Sequence, residues 1–280
     1  MKGCGTYTWF GYTRSFAERL RAIKDAGFDT VSTFWAKEME GIDAPLLSQY
    51  EICESFGLYL EHAHLPYFGI DVLWGDDLKA KAFTDNCISL VKTAAEGNIR
   101  TLVMHTCEIE SPDPSRYPLL LENMKRIAGC CAESGVRLAV ENLGKTCPAS
   151  DIIRDLSGNE YVGLCFDSGH NNAVRENDFS LLRDFKDRVF ALHIHDNNGK
   201  EDQHFLPMSD DCTVNWKMFM EAINSTSFEG SLMLESSYPI DYSLYTGEDD
   251  LSVPDPDYPM EDYLRDAYEA CMKIYAEGRS

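Results

Sequence analysis

The sequence predicts an α/β fold, a single (β/α)8 barrel spanning residues 1–280. Three observations point to it. One pattern recurs along the chain: a stretch of helical period, a glycine, then a short apolar run that closes on a polar residue. Strands that alternate with helices in this way must run parallel, and eight such units in 280 residues match the size of this barrel. The alternative, an open doubly wound sheet, normally carries a phosphate or dinucleotide loop, and neither GxGxxG nor GxxxxGK occurs.

Taken in order, the first strand lies near Gly3 to Trp9. The next five units are "AIKDAGFDTVSTFW", "ICESFGLYLEHAH", "KTAAEGNIRTLVMH", "CCAESGVRLAVEN" and "DLSGNEYVGLCFD". "FKDRVFALHIH" follows without the glycine, and "STSFEGSLMLES" supplies the eighth strand. Gly27, Gly57, Gly97, Gly135, Gly158 and Gly230 are expected to take the left-handed conformation that commonly follows a helix. A long acidic loop from Ile240 to Pro259 precedes a last helix, "MEDYLRDAYEACMKIYAEG".

Composition narrows the function. The formal charge of −22 argues against nucleic acid and anionic membranes, whose phosphates need a basic surface. No segment approaches the ~18 apolar residues of a membrane span, and the N-terminus lacks the apolar core of a signal peptide, so a cytoplasmic location is expected. The ten cysteines include no C-x-x-C pair and are read as reduced, mostly buried thiols.

Side chains alternate across a strand, so parity separates the barrel interior from the helix-facing side. It sets Arg137, Ala139 and Glu141 opposite Val136, Leu138 and Val140. It sets Gly163, Cys165 and Asp167 opposite Val162, Leu164 and Phe166. In the seventh strand Val189, Ala191, His193 and His195 oppose Phe190, Leu192 and Ile194. The polar residues at the strand ends are then His64, His105, Glu141, Asp167, His193 and Glu235. Barrel active sites are built at these C-terminal ends. No Lys or Arg stands among the six, and carboxylates facing one another without a cation repel, a cost that a divalent metal removes.

The remaining histidines divide. His62, one step below His64 on the same face, reads as a hydrogen-bonded core residue. His170, in "DSGH", is a substrate contact or a loop support. His195 continues the inner face of its strand, with its role open. Asp202 and His204, in "DQH", can reach one cavity from a loop and belong to a second metal or to the substrate. Trp9, Trp35, Tyr67 and Trp74 form an apolar wall for a sugar or else pack the barrel and its loops; Lys37, Lys145 and Lys200 are the basic residues near strand ends.

These motifs together carry a family resemblance. From about Thr13 to Glu235, and most clearly in "HLPY", "AVENLG", "CFDSGH", "HIHDNNGKEDQH" and "LMLES", the chain resembles the xylose isomerase-like barrel superfamily. That superfamily includes sugar isomerases and epimerases, inosose dehydratase and class II apurinic/apyrimidinic endonucleases. Its epimerase-like members imply one divalent metal on Glu141, Asp167, His193 and Glu235, with His170 touching substrate. Its endonuclease-like members imply a trinuclear zinc cluster drawing also on His64, His105, His170, Asp202 and His204. A homo-oligomer is a further implication. Where relatives often have a "PGxG"-like turn after the D-x-H pair, this chain has "LPMSDDCTVNW", which bears on the loop beside Asp202 and His204.

The expected function is that of a divalent-metal-dependent isomerase or epimerase of a sugar, sugar phosphate or related polyol. Glu141 and Glu235 would transfer the proton beside a carbonyl, through an enediolate. Trp9, Trp35 and Lys200 are the expected substrate contacts. Mixed His and carboxylate ligands suit Mn, Zn, Co or Fe, and Mg where carboxylates dominate. The alternatives are a zinc phosphodiesterase of the endonuclease type and a dehydratase.

Overall fold

The computed structural model describes residues 3–35, 43–108, 110–238 and 256–278. Eight parallel strands form one sheet: β1 (Cys4–Tyr7), β2 (Thr30–Phe34), β3 (Tyr59–His64), β4 (Thr101–Met104), β5 (Arg137–Glu141), β6 (Val162–Asp167), β7 (Val189–His193) and β8 (Leu232–Leu234). Neighbours in sequence are neighbours in the sheet, and β1 also pairs with β8. Beyond β7, Ile194 donates its N–H to Met233 O at 2.8 Å and accepts from Glu235 N at 3.0 Å, which joins β7 to β8 and completes the (β/α)8 barrel.

The outer helices are α1 (Phe16–Asp25), α2 (Gln49–Ser55), α3 (Leu78–Glu96), α4 (Tyr117–Ser134), α5 (Ala149–Asp155), α6 (Ser168–Arg175), α7 (Ser180–Asp184), α8 (Trp216–Asn224) and α9 (Met260–Glu277). Their starts are written locally. Ser15 and Glu18 form a reciprocal capping box on α1, and the side chains of Asp77, Asp167 and Asn215 accept from the first-turn N–H groups of α3, α6 and α8.

The glycine expectation holds at Gly27, Gly57 and Gly135, which have positive φ, and fails at Gly97, Gly158 and Gly230. After α3 the left-handed turn falls one residue later, on Asn98 at φ 61°, because Gly97 itself stays near φ −82° as the helix cap. The acidic loop from Ile240 to Pro259 lies outside the described residues as far as 255, and so does Lys37.

Parity holds in β5 and β6 and needs correction in β7. The register slips between Leu164 and Cys165, pairing Leu164 with Val189 but Cys165 with Ala191. Val189 therefore joins the helix-facing core, and Phe190 turns inward under Ala191. Gly163 permits this, since a Cβ there would lie 2.3 Å from Arg188 O and 2.6 Å from the Phe190 ring.

Inside the barrel, Val103, Ala139, Cys165 and Ala191 form an apolar layer. Each lies two residues before His105, Glu141, Asp167 or His193. By the strand period, this layer is the floor beneath the polar ring.

Candidate metal centre

Glu141, 1% exposed, is the hub of the ring. Its Oε2 lies 3.1 Å from His193 Nδ1, 3.3 Å from His64 Nε2 and 3.4 Å from His105 Nε2. Its Oε1 lies 3.3 Å from His170 Nδ1. His193 Nδ1 is also 2.9 Å from Glu235 Oε2. Asp167 Oδ1 lies 3.1 Å from His195 Nε2, and Asp202 reaches His170 Nε2 at 3.2 Å and His204 Nε2 at 3.3 Å. Residues from β3, β5, β6, β7 and α6 and from the segments that follow β4, β7 and β8 thus converge.

Among the described residues three donor groups each have ligand atoms within 4.8 Å of one another: His64, His105 and Glu141; Glu141, Asp167, His193 and Glu235, which shares Glu141 with the first; and His170, His195, Asp202 and His204. Cys165 forms a further group with Glu141 and His193. Within this ring Glu141 Oε2, Asp167 Oδ2, His193 Nδ1, His105 Nδ1 and both ring nitrogens of His195 are buried without a hydrogen bond. Buried polar atoms are ordinarily satisfied, so a cluster of orphans aimed at a common space needs a ligand.

The histidines are oriented as ligands are. His64 Nδ1 is 2.6 Å from Leu65 O, His170 Nδ1 is 3.0 Å from Asn142 O, and His204 Nδ1 is 2.7 Å from Glu235 O. In each case one ring N–H is used on a backbone carbonyl and the other nitrogen turns toward the carboxylates, the arrangement that fixes a metal-binding imidazole. Donor chemistry, orphaned atoms and imidazole orientation all fit a divalent cation.

The backbone around the ring is pinned by side chains. Asn142 bonds both ways with the Asp167 backbone, at 2.9 and 3.0 Å, extending the β5–β6 ladder past its end. Ser168 Oγ bridges the N–H and C=O of His195 at 3.0 and 2.7 Å. Asp167 Oδ1 accepts from His170 N at 2.6 Å while capping α6, so one carboxylate both starts a helix and faces the cluster. Gly169 must lack a Cβ, which would fall 1.9 Å from the His195 ring.

The electrostatics follow from the burial of opposite charges. Burial pushes Glu141 up, but His193 and His105 overcome it and hold the carboxyl well below its usual range. Glu235 is likewise raised by burial yet pulled down to about 2, chiefly by His193. Burial lowers His204, while Asp202 lifts it to about 9. His193 and His170 are also raised well above an ordinary imidazole against their burial, His193 by Cys165 and Glu141, His170 by Asp167 and Asp202. A protein with no metal here must protonate histidines to hold its carboxylates apart.

The ring opens into a cleft of about 560 Å³ lined by Tyr67, Leu143, Val174, Lys145 and Lys200, with Glu108 and Glu110 also on its wall. Lys200 is therefore placed beside the ring. Trp35 is not: it is 3% exposed and donates its indole N–H to Gln49 Oε1 at 2.9 Å. Trp74 is equally buried, donating to Thr106 O at 2.7 Å. Trp9 packs with Tyr7, Phe34 and Tyr67 beside the cleft. Of the four aromatic candidates, Tyr67 is the one on the cleft wall, its ring centroid 4.9 Å from that of His105.

One histidine departs from expectation, and one whose role was open finds a place. His62 is fully buried but neither ring nitrogen has a hydrogen bond, because the inner layer around it offers packing, with His193 at 5.4 Å, rather than acceptors. His195, whose role the sequence left open, stacks on His204 at 3.9 Å and completes the donor group with His170 and Asp202. Its inward parity was the available signal. The loop that departs from "PGxG" keeps the turn with Met208 itself in the left-handed region at φ 64°, and His204 at φ 50°.

A model of the xylose isomerase-like TIM barrel family matches residues 20–262. The uncharacterized protein y4fM of Sinorhizobium fredii is 32% identical over 123 residues, 42% of this chain and 39% of that protein, so the chain spans about two fifths of this curated relative's length. Among solved structures, D-psicose 3-epimerase in the presence of D-fructose is similar with a TM-score of 0.75 and 17% identity, over 99% of this chain and 100% of that one. The 3-keto-D-glucoside 4-epimerase YcjR of E. coli has a TM-score of 0.70 and 16% identity, over 99% of both chains. At such identities the likeness is one of fold.

Proposed function

The chain belongs to the xylose isomerase-like TIM barrel family, and on that premise we propose that it is a divalent-metal-dependent isomerase or epimerase of a sugar or related polyol ketone. One observation carries the reading: Glu141 and Glu235, from strands on different sides of the barrel, meet the same His193 nitrogen, at 3.1 and 2.9 Å, beside a cleft of about 560 Å³. The epimerase activities of the structural neighbours support the substrate class.

Glu141, Asp167, His193 and Glu235 would hold the ion. A bound divalent cation contributes Lewis acidity at the substrate's oxygens. The protein's own groups do the rest. Both glutamates are kept as carboxylates, so each enters as a base. One takes the proton next to the carbonyl and, as the carboxylic acid it has become, can return it to the neighbouring carbon; inversion at a single carbon needs the second glutamate to have taken up a proton from solvent through the cleft before it delivers one to the opposite face. Tyr67 offers the sugar a flat apolar surface, and Lys200 and Lys145 donate to hydroxyl or anionic oxygens at the mouth.

A second reading, hydrolysis of a phosphodiester with several metal ions, is favoured by the two donor groups that flank the central one. Two lysines beside Glu108 and Glu110, in a chain of charge −22, offer little to a nucleic-acid backbone.

The test is incubation of Mn-loaded protein with a panel of ketopentoses and ketohexoses in deuterated water. We expect deuterium at the carbon next to the carbonyl together with an epimer or aldose, both abolished in Glu141→Gln and Glu235→Gln. No exchange with any ketose, alongside hydrolysis of a simple phosphodiester, would replace this reading with the second.

A further inference from the structure

Among the described residues the sheet has two register shifts, and both serve the end of the barrel opposite the metal ring. In β3 the pairing passes from Val31–Leu60 to Ser32–His62, which leaves Glu61 as an extra residue, as the slip in β7 leaves Phe190. A bulge re-aims a side chain, and each of these two brings its residue to the lower mouth, at the N-terminal ends of the strands. Glu61 reaches past β2 and β1 to the start of β8, where Ser231 N donates to its two oxygens at 3.1 and 3.2 Å. Each bulged side chain has a glycine that makes its room: a Cβ on Gly230 would lie 2.7 Å from Glu61 Oε1, as one on Gly163 would meet Phe190. The mouth encloses about 550 Å³, nearly the volume of the cleft at the ring. Arg137 lays its guanidinium over the Phe190 ring, 4.9 Å from the centroid, and Arg100 donates to Asn98 Oδ1 at 3.4 Å; among the described residues neither is ion-paired, in a chain of charge −22. A barrel interior is ordinarily packed full. Here two bulges and two glycines shape an open, polar cavity instead.

We propose that this lower mouth is a second binding site, for a hydroxylated monocarboxylate such as a sugar acid. Arg100 and Arg137 supply planar N–H forks that match a carboxylate, and the Phe190 ring steadies the Arg137 plane. Tyr59 and Tyr161 add flat faces for the C–H groups of the carbon chain, and Tyr59 is 45% exposed. Glu61 and Asp187 accept hydroxyl protons. Asp187 and Glu229 on the same wall oppose a second negative charge, which favours a monoanion over a phosphate monoester. The layer of Val103, Ala139, Cys165 and Ala191, on which Phe190 packs, separates this mouth from the ring, so the acid binds without touching the metal ligands.

The test is calorimetric titration of metal-free, full-length protein with D-gluconate, with D-glucitol and acetate as the neutral and the unhydroxylated controls. We expect saturable binding of gluconate, with both controls weaker by about ten-fold or more, the size of a lost charged hydrogen bond. Arg137→Met, which keeps a chain over Phe190, and Arg100→Met should each weaken gluconate by a similar factor at an unchanged melting temperature. Lys200→Met, in the cleft, should leave gluconate binding as it was. Acetate binding as tightly as gluconate would reduce the mouth to an adventitious anion site, and glucitol binding as tightly would remove the role of the arginines; either overturns the proposal. So would the absence of saturable binding, or binding lost in Lys200→Met but kept in Arg137→Met and Arg100→Met. No outcome depends on which reaction the cleft performs.

Discussion

Asp196 and the ring it borders are both buried and charged, yet they are opposites. Asp196 Oδ1 accepts from the N–H groups of Asn197, Thr213 and Val214 at 2.9, 3.2 and 3.0 Å, and its Oδ2 from Trp216 Nε1 at 2.8 Å and Met208 N at 3.3 Å. Three residues and one residue before this aspartate, His193 and His195 keep buried nitrogens without a hydrogen bond, as do Glu141 and Asp167 an oxygen each. Fully satisfied, a buried carboxylate is a device for holding a loop; left unsatisfied among converging donors, it is a device for holding something else. Asp196 fixes the segment that carries Asp202 and His204, so the first kind of site supports the second.

Substitutions at the two places should fail in different ways. Glu141→Gln is expected to cost ~10²–10⁴-fold in turnover, with the metal-free protein still folded and its urea midpoint lowered only by the loss of the ion pairs with His193 and His105. Asp196→Ala should instead cost roughly 3 kcal/mol or more of stability, since it strands several buried donors. If Glu141→Gln unfolds the protein and Asp196→Ala does not, the distinction between the two regions is wrong.

A smaller effect sharpens the boundary. Gly169→Ala forces a methyl into the His195 ring and is expected to destabilise by about 1–3 kcal/mol, while displacing His195 from His170, Asp202 and His204. Metal titration should then lose its weaker component and keep the ion on Glu141, Asp167, His193 and Glu235. Loss of all metal would mean that the donor groups act as one.

The smallest effect is on pH dependence without metal. Against burial, Asp202 holds His204 protonated to about 9, above the ~6.5 of an unfolded imidazole. Its contribution to stability is whole below about pH 6.5 and is lost as pH rises through 9. Glu235 is depressed to about 2 from an ordinary 4.5, so its contribution is whole above about pH 4.5 and is lost as pH falls toward 2. Urea midpoints of metal-free protein should show the alkaline loss, and His204→Gln should reduce it, leaving the part that His193 and His170 contribute.

The barrel and its ring were legible because both rest on short-range rules. Helix, glycine and apolar run recur along the chain, and a polar residue closes six of the eight strands on the inward parity. What escaped the sequence depends on partners far along the chain. The bulge that turns Phe190 inward is a register slip against β6, invisible in "VFALHIH". Trp35 and Trp74 stand near strand ends like cleft residues, but their indoles find Gln49 and Thr106 inside the protein. His195 joins the donor group because Gly169 leaves it room, a steric fact that needs both strands in place.

The most direct test is elemental analysis of protein purified without chelator, for the wild type and Glu141→Ala. We expect at least one divalent ion per chain in the wild type, substantially reduced in the variant, with the metal raising the melting temperature. A wild-type chain that carries only trace metal and gains no stability from added Mn2+ or Zn2+ would contradict a metal-holding ring.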